Sequence, residues 1–269
     1  MTKIKNIKIG ADPEIFLIDI KTEQPISSIG IIGGTKHEPI DIGQGCALQE
    51  DNVMAEFCIP PATSAEELNN SITYALEFID KKVKPLGYQI SIVPSLKFKF
   101  EDLDNLQAQT FGCDPDYSAW TKSINIAPTP SPELLLRCAG GHIHVGYDDH
   151  DIEKNIKLIK AMDLFLGVPS IVLDTDTDRR SMYGKAGCFR IKPYGVEYRT
   201  LSNFWIASEE LTNWVFEQTL KAIDFVNNDF DFDDELSMKV QNCINNQNIE
   251  LANEIIQDLK INVNVQCVV

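Results

Sequence analysis

Two carboxylic acids near the start of the chain have a spacing that could bind a cation. Asp12 and Glu14 lie in the run GADPE, inside a segment with strand composition. Alternate residues of a strand project from the same face, so both carboxylates would belong to one face. Carboxylates placed side by side repel unless a cation lies between them. The pair is also compatible with a solvated strand at the edge of a sheet.

A second acidic segment, residues 49–57, has the same strand spacing. We predict one strand over residues 47–59 in which Glu50, Asn52 and Glu56 share a face. Val53 and Phe57 would then point the other way, toward the core. A glutamate inside such a strand is costly to bury without a partner. The segment is therefore a candidate part of the same site, and the alternative is the polar outer face of an antiparallel sheet.

The most informative motif is GGHIHVG, residues 140–146. His142 and His144 are two of the four histidines in the chain, they share a strand face, and the glycines let another group approach the backbone. We predict that at least one of them binds a metal ion or a phosphate. Carboxylates combined with imidazole suit Mg²⁺ or Mn²⁺, whereas a structural zinc site needs more His or Cys. A core histidine that only completes a hydrogen bond is the alternative.

Basic side chains are concentrated in one glycine-punctuated segment of an otherwise acidic chain. Residues 179–190 carry Arg179, Arg180, Lys185 and Arg190, and we predict a loop there that could close over an anion. Arginine suits phosphate and carboxylate because its planar guanidinium makes paired hydrogen bonds. A solvated turn that balances nearby acids is the alternative.

Glu197 and Arg199 share one face of a further predicted strand, residues 187–201. In isolation this pair is typical of an ordinary ion pair. Its interest comes from its position, because it is the last of five charged motifs along the chain.

The composition favours a globular protein with an apolar core. The chain has 269 residues, of which 43% are hydrophobic, and a net charge of -16. Nucleic-acid binding depends on clustered Lys and Arg, so this charge disfavours a nucleic-acid partner. No apolar run approaches the roughly 18 residues of a membrane span. We expect no membrane partner and a cytoplasmic protein whose seven cysteines are reduced thiols.

The elements that must hold these motifs alternate between strand and helix. Strands are predicted over residues 7–20, 47–59, 89–100, 134–147 and 187–201, and Pro13 favours an edge position or a bulge for the first. A capping signature at Thr63 and Ser64 begins a helix that ends near Pro85. Further helices are predicted over residues 151–166, 208–226 and 234–259. The pattern indicates one α+β domain.

In this order, the five motifs resemble the catalytic core of glutamine synthetase and of glutamate–cysteine ligases. Within that superfamily the chain resembles the phage-associated COOH.NH2 ligase group (type 2) across nearly its whole length. The resemblance is clearest at GADPEIFL, QEDNVMAEFCIPP, GGHIHVGY and RRSMYGKAGCFRIKPYGVEYRTLSNFW. It implies a curved antiparallel β-sheet of glutamine synthetase catalytic-domain type with flanking helices. Two or three divalent ions would lie on the concave face of this sheet, between ATP and the acid substrate.

The same resemblance implies roles for individual residues. The implied metal ligands are Asp12, Glu14, Glu56, His142 and Glu197, and many relatives carry Glu where Asp12 stands. The residues implied to contact the nucleotide are His144, Arg179, Arg180 and Lys185. The residues implied to act in catalysis are Arg190, Arg199 and Glu50, with Gln49 or Asn52 as alternatives to Glu50.

The implied reaction forms an amide bond with ATP and Mg²⁺, or Mn²⁺, as cofactors. A substrate carboxylate would attack the γ-phosphorus of ATP to give an acyl phosphate, which an amine would then attack. The acid and the amine would be small molecules or peptide ends, and residues 30–44 and 111–132 would select them. A metal-dependent hydrolase or oxygenase without ATP, and a noncatalytic metal- or nucleotide-binding protein, are the alternatives.

The resemblance also sets the expected organisation of the chain. Residues 1–269 would form a single ligase domain, with a catalytic core to about residue 230 and a helical tail over residues 231–269. The arrangement is compatible with a homo-oligomer, and the location would be the host cytoplasm for a phage-encoded protein.

Overall fold

A computed structural model of the chain describes residues 2–109, 116–125, 135–174 and 177–265. It is a mixed α/β structure in which every strand pairing is antiparallel. The described strands are β1 (Lys8–Asp19), β2 (Pro25–Ile26), β3 (Ile40–Gly43), β4 (Cys46–Asp51), β5 (Met54–Cys58), β6 (Tyr88–Ser91), β7 (Ser95–Lys97), β8 (Tyr117–Ser118), β9 (Leu136–Cys138), β10 (Gly141–Gly146), β11 (Cys188–Lys192) and β12 (Gly195–Tyr198). The main sheet runs β3-β4-β5-β1-β10-β12-β11-β8, with β2 and β6 also paired to β1, while β7 and β9 form a separate pair.

Helices flank this sheet. In the described residues they are α1 (Ala65–Val83), α2 (Leu106–Gln109), α3 (Ile152–Met162), α4 (Val168–Leu173), α5 (Asp178–Met182), α6 (Glu209–Asn227), α7 (Asp234–Asn245) and α8 (Ile249–Asp258). The predicted start of α1 is confirmed, since the Ser64 hydroxyl caps the helix by accepting a hydrogen bond from the Glu67 amide at 3.1 Å.

The two faces of the main sheet differ in chemistry. Ile9, Ile15, Ile143 and Val196 point to one face and form a single apolar core with α1, α3 and α6. Alternate residues of the same strands project from the opposite face. That second face carries Asp12 with Glu14, His142 with His144, and Glu197 with Arg199, so the strand spacing predicted for these three pairs is confirmed.

The expected edge position of β1 is wrong. β1 pairs with β10 on one side and with β5 on the other, so Pro13 lies in a central strand. Pro13 is tolerated because the ladder between β1 and β5 begins only at Glu14. The missing amide of proline therefore falls just before that ladder.

Residues 47–59 are a hairpin and not the single strand that we predicted. β4 and β5 pair around a tight turn at Asn52 and Val53, where Asn52 has a φ of 54°. A turn changes which residues share a face, so the predicted common face of Glu50, Asn52 and Glu56 is wrong. Gln49 lies opposite Glu56 in the ladder, whereas Glu50 lies opposite the core residue Ala55.

The tail contains two helices where we predicted one. A turn at residues 246–248, with Gln247 at a φ of 53°, separates α7 from α8. Val240 and Ile244 of α7 pack with Ile255 of α8 against Val168 of α4, so the tail forms a second apolar cluster with the region that follows α3.

Three remaining expectations concern thiols, membranes and loops. The cysteines 46, 58, 138, 188 and 243 are free thiols, and Cys113 and Cys267 lie outside the described residues. Among the helices that the structure describes, none combines the length and apolar character needed to cross a bilayer. Of the predicted substrate loop at residues 111–132, only residues 116–125 are described.

Candidate active site

Strand register gathers the acids and histidines of four distant segments on one sheet face. β5, β1, β10, β12 and β11 are consecutive in the sheet in that order, so residues far apart in sequence become cross-strand neighbours. The cross-strand pairs are Asp12 with His142, Glu14 with Glu56, His144 with Glu197, and Arg190 with Glu197.

Asp12, His144 and Glu197, together with His142, form what we call the histidine group. One ligand atom from each of Asp12, His144 and Glu197 lies within 4.8 Å of the others. His144 Nε2 is 3.1 Å from Asp12 Oδ2, and His142 Nδ1 is 3.3 Å from Asp12 Oδ1 and 3.7 Å from Glu197 Oε1. Burial opposes the charge of Asp12, but the two imidazoles hold its pKa well below its usual range.

Glu14, Asp51 and Glu56 form a second cluster, the acid group, whose ligand atoms also lie within 4.8 Å of one another. Burial, reinforced by the Asp51 charge, raises the pKa of Glu14 to about 8. Burial and the charges of Asp12 and Asp51 raise the pKa of Glu56 well above its usual value. Desolvation raises the pKa of Asp51 as well. The three carboxylates are thus held together at a free-energy cost that a cation between them would relieve.

Glu197 faces a third cluster, the cation group of Arg190, Lys192 and Arg199. Lys192 Nζ is 2.6 Å from Glu197 Oε2, Arg190 Nη1 is 3.6 Å from Oε1, and Arg199 Nη1 donates a hydrogen bond to Oε1. Burial would raise the pKa of Glu197, but Arg199 and then His142 lower it to about 2. Glu197 is therefore charged although its side chain is fully buried.

His142 connects the histidine group to the cation group. Burial, followed by the charge of Arg199, lowers the pKa of His142 to about 4. Its Nδ1 lies 3.2 Å from Arg199 Nη1. A neutral imidazole at pH 7 can serve as a metal ligand or hydrogen-bond partner without a change of protonation.

The donor atoms of the first two groups fit a hard divalent cation. Asp12 Oδ1, His144 Nε2 and Glu197 Oε2 are buried, and each lacks a hydrogen bond of good geometry although ion-pair contacts surround them. Buried polar atoms of this kind normally have a partner. Carboxylate oxygens with one imidazole are the donor set of Mg²⁺ and Mn²⁺ sites.

The first two arginines of the basic segment, Arg179 and Arg180, lie in a short helix, α5, and not in the open loop that we predicted, since Asp178–Met182 contains neither Gly nor Pro to prevent a helical turn. Both are buried. Arg180 donates to Ser170 Oγ at 2.6 Å and to the Gly184 carbonyl at 3.3 Å, which makes it part of the core. Arg179 donates to the Thr200 carbonyl at 3.0 Å and lowers the pKa of Glu14, so it borders the acid group.

Two further predicted residues lie apart from the three groups. Glu50 Oε1 accepts hydrogen bonds from the amides of Gly30 at 2.8 Å and Gly33 at 2.7 Å, so Glu50 anchors the loop before β3. Lys185 is exposed, and its backbone carbonyl accepts hydrogen bonds from Thr200 Oγ1 at 3.0 Å and from the Cys188 amide at 3.3 Å.

Sequence reasoning missed four residues of the site. Asp51 was missed because the turn at Asn52 was not recognised, and Lys192 and Tyr194 because the turn that Pro193 and Gly195 mark was read as continuous strand. The Tyr194 hydroxyl makes a hydrogen bond with His144 Nδ1, and the two rings are stacked. Asp116 Oδ2 lies 3.5 Å from Arg199 Nε, a contact across the sheet for which the sequence holds no local signal.

Comparison with known proteins gives one family match. The model of the family described as "Phage phiEco32-like COOH.NH2 ligase-type 2" matches residues 132–260. The match includes the histidine motif, the basic segment and Glu197 with Arg199, and it begins after the three residues of the acid group. No curated protein sequence matches the chain.

Among solved structures, the chain is similar to a bifunctional glutathione synthetase from Pasteurella multocida. The TM-score is 0.47 and the sequence identity 8%, over 94% of this chain and 49% of that one. The chain therefore spans about half the length of the protein it matches.

Over residues 132–260, the description of the matched family agrees with the ligase class that the resemblance implied. The predicted likeness to the COOH.NH2 ligase group is thereby supported over the second half of the chain.

Proposed function

We propose that this protein is an ATP- and Mg²⁺-dependent carboxylate–amine ligase that works through an acyl phosphate. The observation that carries the proposal is the ordered row of charged groups on one sheet face. The acid group lies at one end, the histidine group in the middle and the cation group at the other end. Such a row suits a substrate that is itself a metal-bound polyphosphate beside a carboxylate.

Divalent metal ions would be held at two places on this face. Asp12, His144 and Glu197 would provide one set of donors, with His142 beside them, and Glu14, Asp51 and Glu56 the other. Bound there, Mg²⁺ would neutralise and orient the β- and γ-phosphates of ATP.

The cation group would neutralise the charge that develops during phosphoryl transfer. A carboxylate is a poor electrophile, and its attack on the γ-phosphorus brings two anions together. The buried Glu197 is surrounded by Arg190, Lys192 and Arg199. These three cations outnumber the single carboxylate, so they can also interact with an anionic ligand. Arg199 also contacts His142, which places it at the boundary between metal donors and cations.

The second half of the reaction requires a neutral amine. An ammonium ion has no free electron pair and must lose a proton before it attacks the acyl carbon of the acyl phosphate. We assign the proton acceptor to Asp116, whose partly exposed carboxylate lies 3.5 Å from Arg199 Nε and receives a hydrogen bond from Asn125 Nδ2 at 2.9 Å. Phosphate then leaves as the amide bond forms.

We further propose a sheet of glutamine synthetase catalytic-domain type in a single domain over residues 1–269. Two observations support this assignment: the antiparallel strand order, and the restriction of all three groups to one sheet face. The packing of α7 and α8 onto α4 supports one unit that includes the tail.

The test is ADP release by purified protein with Mg²⁺ and ATP, with and without a pooled mixture of amino acids and peptides. Glu197→Gln is the site variant, and Glu77→Gln is the matched control because Glu77 forms an exposed ion pair with Lys81 on α1. We expect ADP release that the mixture stimulates, that Glu77→Gln retains and that Glu197→Gln loses. Mn²⁺ binding measured by paramagnetic resonance adds a readout that needs no substrate. Metal binding without any ATP turnover would favour the noncatalytic alternative and contradict the proposal.

A further inference from the structure

One further charged residue, Asp163, lies buried on the other side of the sheet from the proposed site. Asp163 is fully buried and begins the π-helical turn Asp163–Gly167 that joins α3 to α4. Its Oδ2 accepts a hydrogen bond from Trp120 Nε1 at 2.6 Å, and its Oδ1 accepts from the Tyr198 hydroxyl at 2.8 Å and from Thr200 Oγ1 at 3.3 Å. The Gly187 amide donates to the same carboxylate. A buried carboxylate with this many donors holds them in fixed positions.

Two of these donors flank Arg199 directly. Tyr198 ends β12 and Thr200 follows Arg199 in the chain. Neighbouring residues of an extended chain project from opposite faces. Asp163 therefore holds this segment from the helix side, while Arg199 extends from the other side to Glu197 and His142.

The other two donors belong to segments that also contact Arg199. Gly187 precedes Cys188, whose carbonyl accepts a hydrogen bond from the Arg199 amide at 2.9 Å. Trp120 lies four residues after Asp116, the carboxylate beside Arg199 Nε. One carboxylate thus connects three segments that contact Arg199 or include it.

Two glycines allow this close assembly. A Cβ atom added at Gly167 would lie 2.7 Å from the Tyr198 hydroxyl, and one added at Gly187 would lie 2.6 Å from Trp120 Cδ1. Any other residue at either position would push a donor away from Asp163. π-Helical turns are also frequent at functional sites.

We propose that Asp163 is a positioning residue for Arg199 and so for the cation group. It does not contact the substrate, and its effect on the reaction passes through Tyr198, Thr200 and the segment before Cys188. The assignment rests on the proposed ligase function.

The main test compares two tyrosine hydroxyls. Tyr198→Phe removes one hydrogen bond to Asp163 and leaves the ring in place. Tyr147→Phe is the matched control, because the Tyr147 hydroxyl donates to the buried Asn155 Oδ1 at 2.6 Å away from Arg199. We expect Tyr198→Phe to lower kcat for ADP release by roughly tenfold with less than about a twofold change in the KM for ATP, and Tyr147→Phe to lose similar stability with kcat unchanged. Asp163→Asn should have a larger effect than Tyr198→Phe in the same direction, and Tyr198→Phe still tests the proposal should that variant not fold.

A second readout does not depend on turnover. Cys188 is buried, and its thiol donates a hydrogen bond to Asp116 Oδ2 at 3.2 Å within the same assembly. We expect iodoacetamide to alkylate Cys188 several-fold faster in Tyr198→Phe than in Tyr147→Phe, as measured by peptide mass spectrometry. Equal alkylation and equal kcat in the two variants would overturn the positioning role. Faster alkylation in a protein whose wild type releases no ADP would support the assembly around Arg199 and overturn the ligase function alone.

Discussion

The acid group and Glu197 are carboxylates on the same sheet face, yet their surroundings shift their pKa values in opposite directions. Burial and mutual repulsion raise the pKa values of Glu14, Asp51 and Glu56. Burial acts on Glu197 in the same sense, but Arg199 and His142 outweigh it and lower its pKa to about 2. The opposite pKa shifts at the two ends of the site therefore come from the neighbouring cations and not from a difference in burial.

The difference follows from the strands that meet at each end. The hairpin of β4 and β5 adds two acids to the side of β1, whereas the hairpin of β11 and β12 adds the cation group. A metal ion would bind most favourably at the acid group, where it relieves repulsion between the carboxylates. An anion would bind most favourably beside the cation group. On the proposed function, the two ends would hold the two halves of a metal–nucleotide complex.

The largest expected effect is on turnover when either end loses its charge. Glu14→Gln and Glu197→Gln should each lower kcat by about 10²–10³-fold, which corresponds to about 3–4 kcal/mol of transition-state stabilisation. Glu14→Gln should also weaken Mn²⁺ binding, because the acid group loses one of its three charges. The measurement is ADP release together with Mn²⁺ titration. Activity of the wild-type level in either variant would remove that residue from the site.

The same two variants should differ in stability. Glu197→Gln leaves Arg190, Lys192 and Arg199 facing a neutral amide, so we expect a loss of about 3 kcal/mol in the free energy of unfolding. Glu14→Gln removes a repelling charge and should leave the metal-free protein at least as stable as the wild type. Urea denaturation in EDTA at pH 8 measures both. A similar loss in the two variants would remove the contrast between the ends.

A pH series sharpens the comparison for the acid group. The pKa of Glu14 rises from 4.5 to about 8 on folding, so the folded metal-free protein binds this proton more tightly than the unfolded chain does. The stability that Glu14 contributes is therefore fully present below pH 4.5 and is lost as the pH rises toward 8. We expect the difference in unfolding free energy between wild type and Glu14→Gln to fall by several kcal/mol over that range, because each pKa unit corresponds to about 1.4 kcal/mol. Added Mg²⁺ should abolish the fall, and a difference independent of pH in EDTA would contradict the assigned environment.

Glu197 should behave in the opposite way. Its pKa falls from 4.5 to about 2 on folding, so its contribution is present above pH 4.5 and is lost as the pH falls toward 2. The Glu197→Gln variant should therefore lose its stability deficit relative to wild type in acid. A deficit that persists at pH 2 would show that the ion pairs with the cation group are not its source.

The part of the site that the sequence predicted consists of pairs of residues two positions apart in one strand. Asp12 with Glu14, His142 with His144, and Glu197 with Arg199 each share a face within a short segment, and the structure keeps each pair on one face. Helix α1 was also predictable, because its capping residues and its apolar residues lie close together in the sequence. Antiparallel register then brings these local faces together.

The unpredicted part depended on turns and on contacts between distant segments. A tight turn inside residues 47–59 changed the partners of every residue before it, so Asp51 joins the site and Glu50 does not. Arg180 donates to the Ser170 hydroxyl inside the core, and a basic side chain in the sequence does not reveal whether its partner is a ligand or a core group. Asp116 meets Arg199 only through the pairing of β8 with β11.

The smallest expected effect separates Glu50 from the acid group. Glu50→Ala removes two hydrogen bonds to the amides of Gly30 and Gly33, and we expect a loss of about 1–2 kcal/mol in the free energy of unfolding. Mn²⁺ affinity should remain that of the wild type, because the Glu50 carboxylate lies on the core side of β4 while Asp51 lies on the side of the metal donors. Asp51→Asn is the matched variant, and it should weaken Mn²⁺ binding with little loss of stability. Weaker Mn²⁺ binding in Glu50→Ala together with unchanged Mn²⁺ binding in Asp51→Asn would contradict this assignment and place Glu50 in the site.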